Sequence, residues 1–288
     1  MSYEEWTENQ SSTTLTVDDH DLEVAYYENG ESNGESTPVV FLHGIPTWSY
    51  LWREVAPELA TKRHVVAPDL LGYGNSAKHD GFDRSIRAQE EMVDKLLDHL
   101  GIDEVSFVAH DIGGGTALRY AVHNPDMVES LVLSNSACYD SWPVEFIHSL
   151  ALPSMVDELS DDEVLEDKMS FVFDEGLYDD DTESHSEFCE GMRAPWQSEE
   201  GRLSLVRNAS STNTNHTTEL DYSKLKANIL LLWGEDDILQ SVNYAKRLQS
   251  DVSGDVKLVT LEDSYHWVVE DRPDAYRNEV MKFFENSS

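Results

Sequence analysis

The sequence predicts an α/β fold: a mostly parallel sheet with helices on both faces, interrupted late in the chain by an inserted helical lid. Three observations carry this. Short continuous apolar runs such as Val39-Val40-Phe41-Leu42, the pattern of a buried parallel strand, recur and alternate with helix-period segments. Glu104 to Ala121, EVSFVAHDIGGGTALRYA, passes from an apolar run through His110-Asp111-Ile112 and three glycines into an apolar-periodic segment, which reads as strand, sharp turn, helix. From Cys138 to about Tyr222 the alternation stops, and it returns at Ile229.

Taken in order, Thr13–Val17 and Leu22–Tyr27 read as a β-hairpin, and Asn29–Pro38 as a polar Gly/Ser loop. The strand Val39–Leu42 ends at His43-Gly44-Ile45-Pro46, Trp52–Leu59 has helical spacing, and His64–Ala67 is the next strand. A glycine-rich loop, Asp69–Ser76, leads to a long amphipathic helix, Arg84–Leu100. After the Asp111 turn comes the strand Ser130–Ser134. The region beyond Cys138 shows helical spacing and acidic runs, Ser160–Asp167 and Asp179–Glu183, the composition of a lid. Ile229–Trp233 is then a strand, Ser241–Gln249 a helix, Val256–Leu261 a last strand and Asp274–Phe284 a terminal helix. The division that follows is a main domain of residues 1–137 and 223–288 with a cap of residues 138–222.

Charge narrows the partners. Fifty-seven acidic against 20 basic residues give a formal net charge of −37, spread along the chain and not gathered in a tail. Such a field repels phosphate, so nucleic acid is excluded as a partner. Dispersed acidity with few lysines resembles the composition of proteins from salt-loving archaea, in which salt screens the self-repulsion. Two cysteines, Cys138 and Cys189, are too few for a disulfide framework. The amino-terminal segment MSYEEWTENQ lacks the basic and apolar regions of a leader, and no run approaches the ~18 apolar residues of a membrane span. A cytoplasmic protein with no membrane partner is the expectation.

Active sites of open α/β sheets lie beyond the carboxyl ends of the strands, and three titratable residues fall there. Asp111 stands on the sharp turn, with small residues, Ala109 and Gly113, two positions to either side. Asp237 follows the strand-end run LLLWGEDD, with Asp236 as its competitor, and His266 follows the last strand. In this arrangement Asp111 is the nucleophile, His266 the base that activates water, and Asp237 the acid that orients the imidazole. The backbone amides of Ile45 and Ile112 would form an oxyanion hole at the Asp111 carboxyl carbon. His110 reads as a structural neighbour of the turn. A carboxylate nucleophile restricts the substrate, because its attack on an ester gives only an anhydride. Attack on a saturated carbon bearing a leaving group gives an ordinary ester, which water can cleave at the Asp111 carbonyl. Alkyl substrates, not acyl ones, are expected.

FLHGIPTWSYLWR, APDLLGYGNS, VAHDIGGG, LLLWGEDD and the H-x-x-x-E-D-x-P segment from His266 to Pro273 together resemble the haloalkane dehalogenase and epoxide hydrolase branch of the α/β-hydrolase superfamily. The likeness spans nearly the whole chain and is weak in the lid. It implies an eight-stranded sheet with a helical cap and the order nucleophile, acid, histidine. HGIPTWSYLWR is closest to dehalogenases, which implies hydrolysis of carbon–halogen bonds to alcohol and halide. The alternative is epoxide hydrolysis to a diol. A non-catalytic binding protein and a luciferase-like activity on the same scaffold stand behind both.

Two departures bear on that choice. Dehalogenases of this type carry Trp after the nucleophile and often Asn after His-Gly, whose side-chain N–H groups hold the departing halide. Here those positions are Ile112 and Ile45. Trp48, Trp142 or Trp196 would have to substitute, and His43, Tyr139 and Tyr178 complete the candidate substrate pocket. Epoxide hydrolases use lid tyrosines, or a His and a Tyr, to protonate the opening oxygen, and this lid offers Tyr139, Tyr178, His148 and His185. The expected partners are a small apolar substrate, water and, in the dehalogenase reading, halide, with no cofactor and no metal.

Overall fold

A computed structural model describes residues 1–31, 36–174, 176–178 and 185–286. The acidic run Asp179–Glu183 lies outside them, apart from which the elements are given in chain order below.

The chain opens with α1 (Tyr3–Glu8), then the hairpin β1 (Gln10–Val17) and β2 (His20–Asn29), β3 (Val39–Leu42), α2 (Ala56–Leu59) and β4 (Val65–Pro68). Next come α3 (Ile86–Leu100), β5 (Val105–His110), α4 (Asp111–His123) and β6 (Val128–Ser134). Among the described residues there follow the α-helices α5 (Glu145–Leu150), α6 (Met155–Glu158), α7 (Asp162–Asp174), α8 (Ser186–Arg193), α9 (Glu199–Ser210) and α10 (Asn215–Thr218). The main pattern resumes with β7 (Asn228–Gly234), α11 (Val242–Asp251), β8 (Val256–Leu261), α12 (Val268–Asp271) and α13 (Pro273–Asn286). No described helix is long and apolar enough to cross a membrane.

The eight strands form one sheet in the order β1-β2-β4-β3-β5-β6-β7-β8. Only the β1–β2 and β2–β4 pairs are antiparallel. From β3 the chain moves outward to β4 and then crosses to β5 on the other side of β3, so the loops after β3 and β5 diverge over one crevice. That reversal of direction is where ligands bind in open α/β sheets. The register keeps the strand ends level: Leu42 pairs with Ala109, Ala109 with Leu133, Ser134 with Leu232, and Gly234 with Leu261. Val39 to Leu42 are buried throughout, as a strand covered on both faces requires.

Local chemistry explains where the structure departs from the sequence reading. The helix expected over Trp52–Leu59 is a 3-10 turn, Ser49–Trp52, followed by the short α2. Pro57 sits in the first turn of α2, where its missing N–H costs nothing, and its ring would clash with a carbonyl of any helix running through from Trp52. Helix α1 was not expected, yet Ser2 and Glu5 form a reciprocal capping box. Trp6 anchors it by stacking on Tyr27 at 4.3 Å and donating to Ser49 Oγ at 2.9 Å. Helix α3 begins at Ile86, two residues past Arg84, because Ser85 Oγ accepts the Ala88 N–H as its N-cap, and it ends at Gly101 in the left-handed region.

Candidate active site

The turn from β5 into α4 places Asp111 at φ +50°, a conformation that costs a residue with a Cβ on the order of 1–3 kcal/mol. The turn is held because Asp111 is locked from both sides. Its carbonyl accepts the Ala137 N–H at 2.9 Å, and a Cβ on Gly44 would land 2.5 Å from Asp111 Cβ, so only glycine lets the β3 loop approach this closely.

The approach aims a backbone amide at the carboxylate. Ile45 N–H donates to Asp111 Oδ1 at 3.0 Å, and the Ile112 amide beside the carboxylate acts, like Ile45's, to lower its pKa. His43 explains the aim of the first. Its Nε2 accepts the Leu70 N–H at 2.9 Å, which leaves the proton on Nδ1 for donation to the Gly44 carbonyl at 2.8 Å. Thr47 adds its N–H and hydroxyl to that carbonyl, at 3.1 and 3.0 Å. With the carbonyl of the Gly44–Ile45 peptide held on one side, its N–H must face the other way, toward Asp111. Burial pushes the His43 pKa down to about 4, keeping the neutral tautomer this bond requires. Both ring nitrogens of His43 are therefore occupied by backbone, and the expectation that it contacts substrate gives way to a supporting position.

His266, on the loop after β8, faces the other carboxylate oxygen. Its Nε2 stands 4.0 Å from Asp111 Oδ2, beyond hydrogen-bond length, while its Nδ1 is 2.9 Å from Asp237 Oδ2. Asp237 is buried and Asp236 exposed. The remaining valences of Asp237 are filled: Oδ1 accepts the Leu239 and Gln240 amides at 2.7 and 3.0 Å, and Oδ2 accepts Asn135 Nδ2 at 2.5 Å. Asn135 lies just past β6 at φ +44° and also reaches Tyr265 O and Gly234 N, each at 3.3 Å. It ties the loops after β6, β7 and β8 together. Sequence reasoning missed it; the available signal was a polar residue that tolerates positive φ at a strand's carboxyl end. A side chain on Gly234 would collide with Tyr265 O, so this junction too depends on close backbone approach. Asp271 completes it, accepting Tyr265 N–H and Tyr178 N–H at 2.8 and 2.9 Å.

Electrostatics set the two reacting groups apart. Burial raises the Asp111 pKa above the usual carboxylate range, against the opposing pull of His266 and of the two amides. For His266 burial acts downward but is outweighed by Asp237, its hydrogen bond and Asp111, so the imidazole titrates above its ordinary 6.5. His110 packs on His266 with ring centroids 4.7 Å apart, and burial and the His266 charge drive its pKa well down.

The other pocket candidates do not converge on Asp111. Trp48 and Trp196 are buried, but their indole N–H groups donate to Gly191 O and Pro46 O, both at 2.8 Å. Tyr139 donates to Asp251 at 2.9 Å and carries the Arg247 guanidinium 3.7 Å over its ring. Tyr178 is exposed and packs on Tyr265. Trp142 is buried, and its indole N–H has no hydrogen-bond acceptor among the described residues. His185 sits 3.2 Å from Glu270. Instead Tyr73, in the glycine-rich loop after β4, lies edge-on between His43 and Trp196, with ring centroids 5.3 and 5.9 Å away.

The sequence profile of the alpha/beta hydrolase fold matches residues 37–273. An uncharacterized hydrolase of Bacillus subtilis, YugF, is 27% identical over 266 residues, 90% of this chain and 94% of that protein. A soluble epoxide hydrolase of Corynebacterium is 45% identical over 101 residues, which span 35% of either chain. The crystal structure of the haloalkane dehalogenase DbeA from Bradyrhizobium elkani superposes with a TM-score of 0.78 at 25% identity, covering 96% of this chain and 98% of that one.

Proposed function

The chain belongs to the α/β-hydrolase fold family, and on that premise we propose that it hydrolyses alkyl electrophiles through an ester on Asp111. One observation carries the reading: the two oxygens of a single carboxylate have different surroundings. Oδ1 accepts the Ile45 N–H at 3.0 Å, while Oδ2 faces His266 across 4.0 Å with no hydrogen bond between them. Oδ2 attacks the saturated carbon and becomes the ester oxygen. Oδ1 becomes the ester carbonyl, already seated where negative charge develops when water adds to the carboxyl carbon. His266 Nε2 takes the proton of that water, the Asp237 carboxylate stabilises the imidazolium, and the same proton passes to the departing alcohol.

The leaving group is proposed to be the oxygen of an epoxide. A halide needs N–H donors at the site, and Ile45 and Ile112 offer aliphatic side chains while Trp48 and Trp196 already donate to backbone carbonyls. The 45% identity with an epoxide hydrolase over 101 residues supports the same choice. Carbon–halogen hydrolysis is the second reading, supported by the full-length likeness to DbeA and by the unengaged indole of Trp142.

Intact-mass analysis of a His266→Gln variant tests both. Without the base the ester forms and persists, so incubation with an epoxide should add the whole epoxide mass at Asp111. Incubation with a bromoalkane would add only the alkyl group if the second reading holds. Asp111→Asn should remove either adduct, and a wild-type chain that turns over substrate while His266→Gln accumulates none would contradict the covalent route.

A further inference from the structure

The residue that follows His266 joins it to a distant part of the chain. Trp267 is fully buried, and its ring meets the His266 ring edge-on with centroids 4.7 Å apart. Its polar groups are all engaged. The backbone N–H donates to Gly176 O at 3.1 Å, the indole N–H donates to Val172 O at 3.0 Å, and the carbonyl accepts the Glu270 and Asp271 N–H groups at 2.8 and 2.9 Å. Two of these bonds therefore run to the end of α7 and the turn just beyond it, with Val172 lying 95 positions earlier in the chain. Phe173 on α7 and Phe188 on α8 close on the same indole, with ring centroids 5.6 and 6.2 Å away. The fit leaves no slack, since a Cβ on Gly176 would stand 2.3 Å from Trp267 Nε1.

We propose that Trp267 is a positioning residue, through which Val172 and Gly176 fix the plane of the His266 ring so that Nε2 meets the water that cleaves the Asp111 ester. This rests on the reading of His266 as the base given above. The hydrogen bond from His266 Nδ1 to Asp237 at 2.9 Å anchors one corner of the imidazole and leaves the ring free to swing about that bond. Ring contacts stop the swing: Trp267 on one part of the imidazole and His110 on another, the latter 4.7 Å from His266 and 5.4 Å from Trp267. His110 comes from β5 and travels with the nucleophile, whereas Trp267 is held from α7. Ester formation does not need this alignment, because Nε2 stands 4.0 Å from Asp111 Oδ2 and makes no hydrogen bond to it. Ester hydrolysis does need it, since Nε2 must reach a water that is itself aimed at the carboxyl carbon, and a displacement of about 1 Å costs on the order of 100-fold. Disturbing Trp267 therefore separates the two steps.

The test follows both steps by quenched intact mass in Trp267→Phe and in Gly176→Ala, in molar potassium chloride, with propylene oxide and, separately, 1-bromobutane. Phenylalanine keeps an aromatic ring beside His266 and removes the indole N–H. The alanine methyl presses on the indole from the α7 side, its nearest neighbours being Trp267 and Val172. With the probe that loads His266→Gln, both variants should form the ester at the wild-type rate and hydrolyse it about 100-fold more slowly, so that the adduct on Asp111 accumulates with His266 still present. Equal slowing of both steps, the mark of a general loss of structure, would overturn the assignment and leave the covalent route standing, as would hydrolysis at the wild-type rate. A second measurement needs no substrate. The low-field nuclear magnetic resonance signal of the His266 Nδ1 proton, shielded from water in the wild type, should be lost to exchange in both variants, and a signal that persists unchanged would overturn the assignment by itself. No adduct from either probe in His266→Gln would overturn the covalent route, and the Nδ1 signal would then decide alone whether α7 holds the imidazole.

Discussion

His266 carries a charge balance that sorts the two halves of the proposed reaction by pH. Its pKa lies above 6.5 because Asp237 and Asp111 together outweigh burial. A raised value means that the folded state gains from protonation: this contribution to stability is complete below pH 6.5 and is lost as pH climbs through the folded pKa. Base catalysis has the opposite sign, since only neutral imidazole can take a proton from water. Once Asp111 is esterified its charge is gone, and one of the groups holding the imidazolium goes with it. The acid limb of kcat should therefore lie at lower pH than the His266 titration of the free enzyme. Nuclear magnetic resonance of the His266 ring, in the wild type and in Asp237→Asn, checks the assignment: the midpoint should stand above 6.5 and should fall in the variant. A midpoint unmoved by the loss of Asp237 would mean that the pair does not act as a unit.

Between residue and molecule, the decisive contacts join the segment after β6 to the loops after β3 and β4. Trp196 donates to Pro46 O, Trp48 donates to Gly191 O, and Ser204 and Asn208 on α9 both donate to Gly72 O at 2.8 Å. Replacing Trp196 by Phe keeps the aromatic packing and leaves a buried carbonyl unpaired, a cost of about 1–3 kcal/mol. Amide exchange through α9 should quicken and the melting temperature should fall by a few degrees. Unchanged exchange in α9 would show that the tether carries no docking energy. These contacts also mark the limit of what the sequence could convey. All eight strands were legible, β1 and β2 as a hairpin and the other six as short runs rich in apolar and β-branched residues among helical segments, and the positions of Asp111, Asp237 and His266 follow from lying at strand ends. Side-chain donors are a different matter. Nothing in the spacing of Trp48, Trp196 or Tyr139 tells where an indole or phenol points, and Asn135 and Tyr73 acquire their neighbours from loops far apart in the chain. Helix α1 is a third case: its capping box could be read from Ser2 and Glu5, but a helix of six residues has too little periodicity to announce itself.

At the scale of the whole molecule the charge sets the conditions under which any of this chemistry can be measured. A net charge of −37 is left over, because 57 acidic residues cannot be neutralised by 20 basic ones. Several of these already share acids in pairs and triads: Arg119 bonds Glu90 at 2.6 Å and Glu219 at 2.5 Å, and Arg53 bonds Glu270 at 2.7 Å. The remaining carboxylates repel one another through solvent. At 0.1 M salt the screening length is about 10 Å, so neighbouring surface acids feel each other; at 1 M it is about 3 Å, and that repulsion is largely removed. The buried core is unaffected by this change, since its strands are apolar. We propose that the chain is adapted to high salt, and expect cooperative unfolding, followed by circular dichroism, to appear only at molar potassium chloride and its midpoint to rise with concentration. A non-ionic osmolyte of equal osmolality should not reproduce the rise, because it leaves the screening length unchanged. A melt independent of salt would mean that local pairing already balances the surface field, and the acidity would then require another explanation.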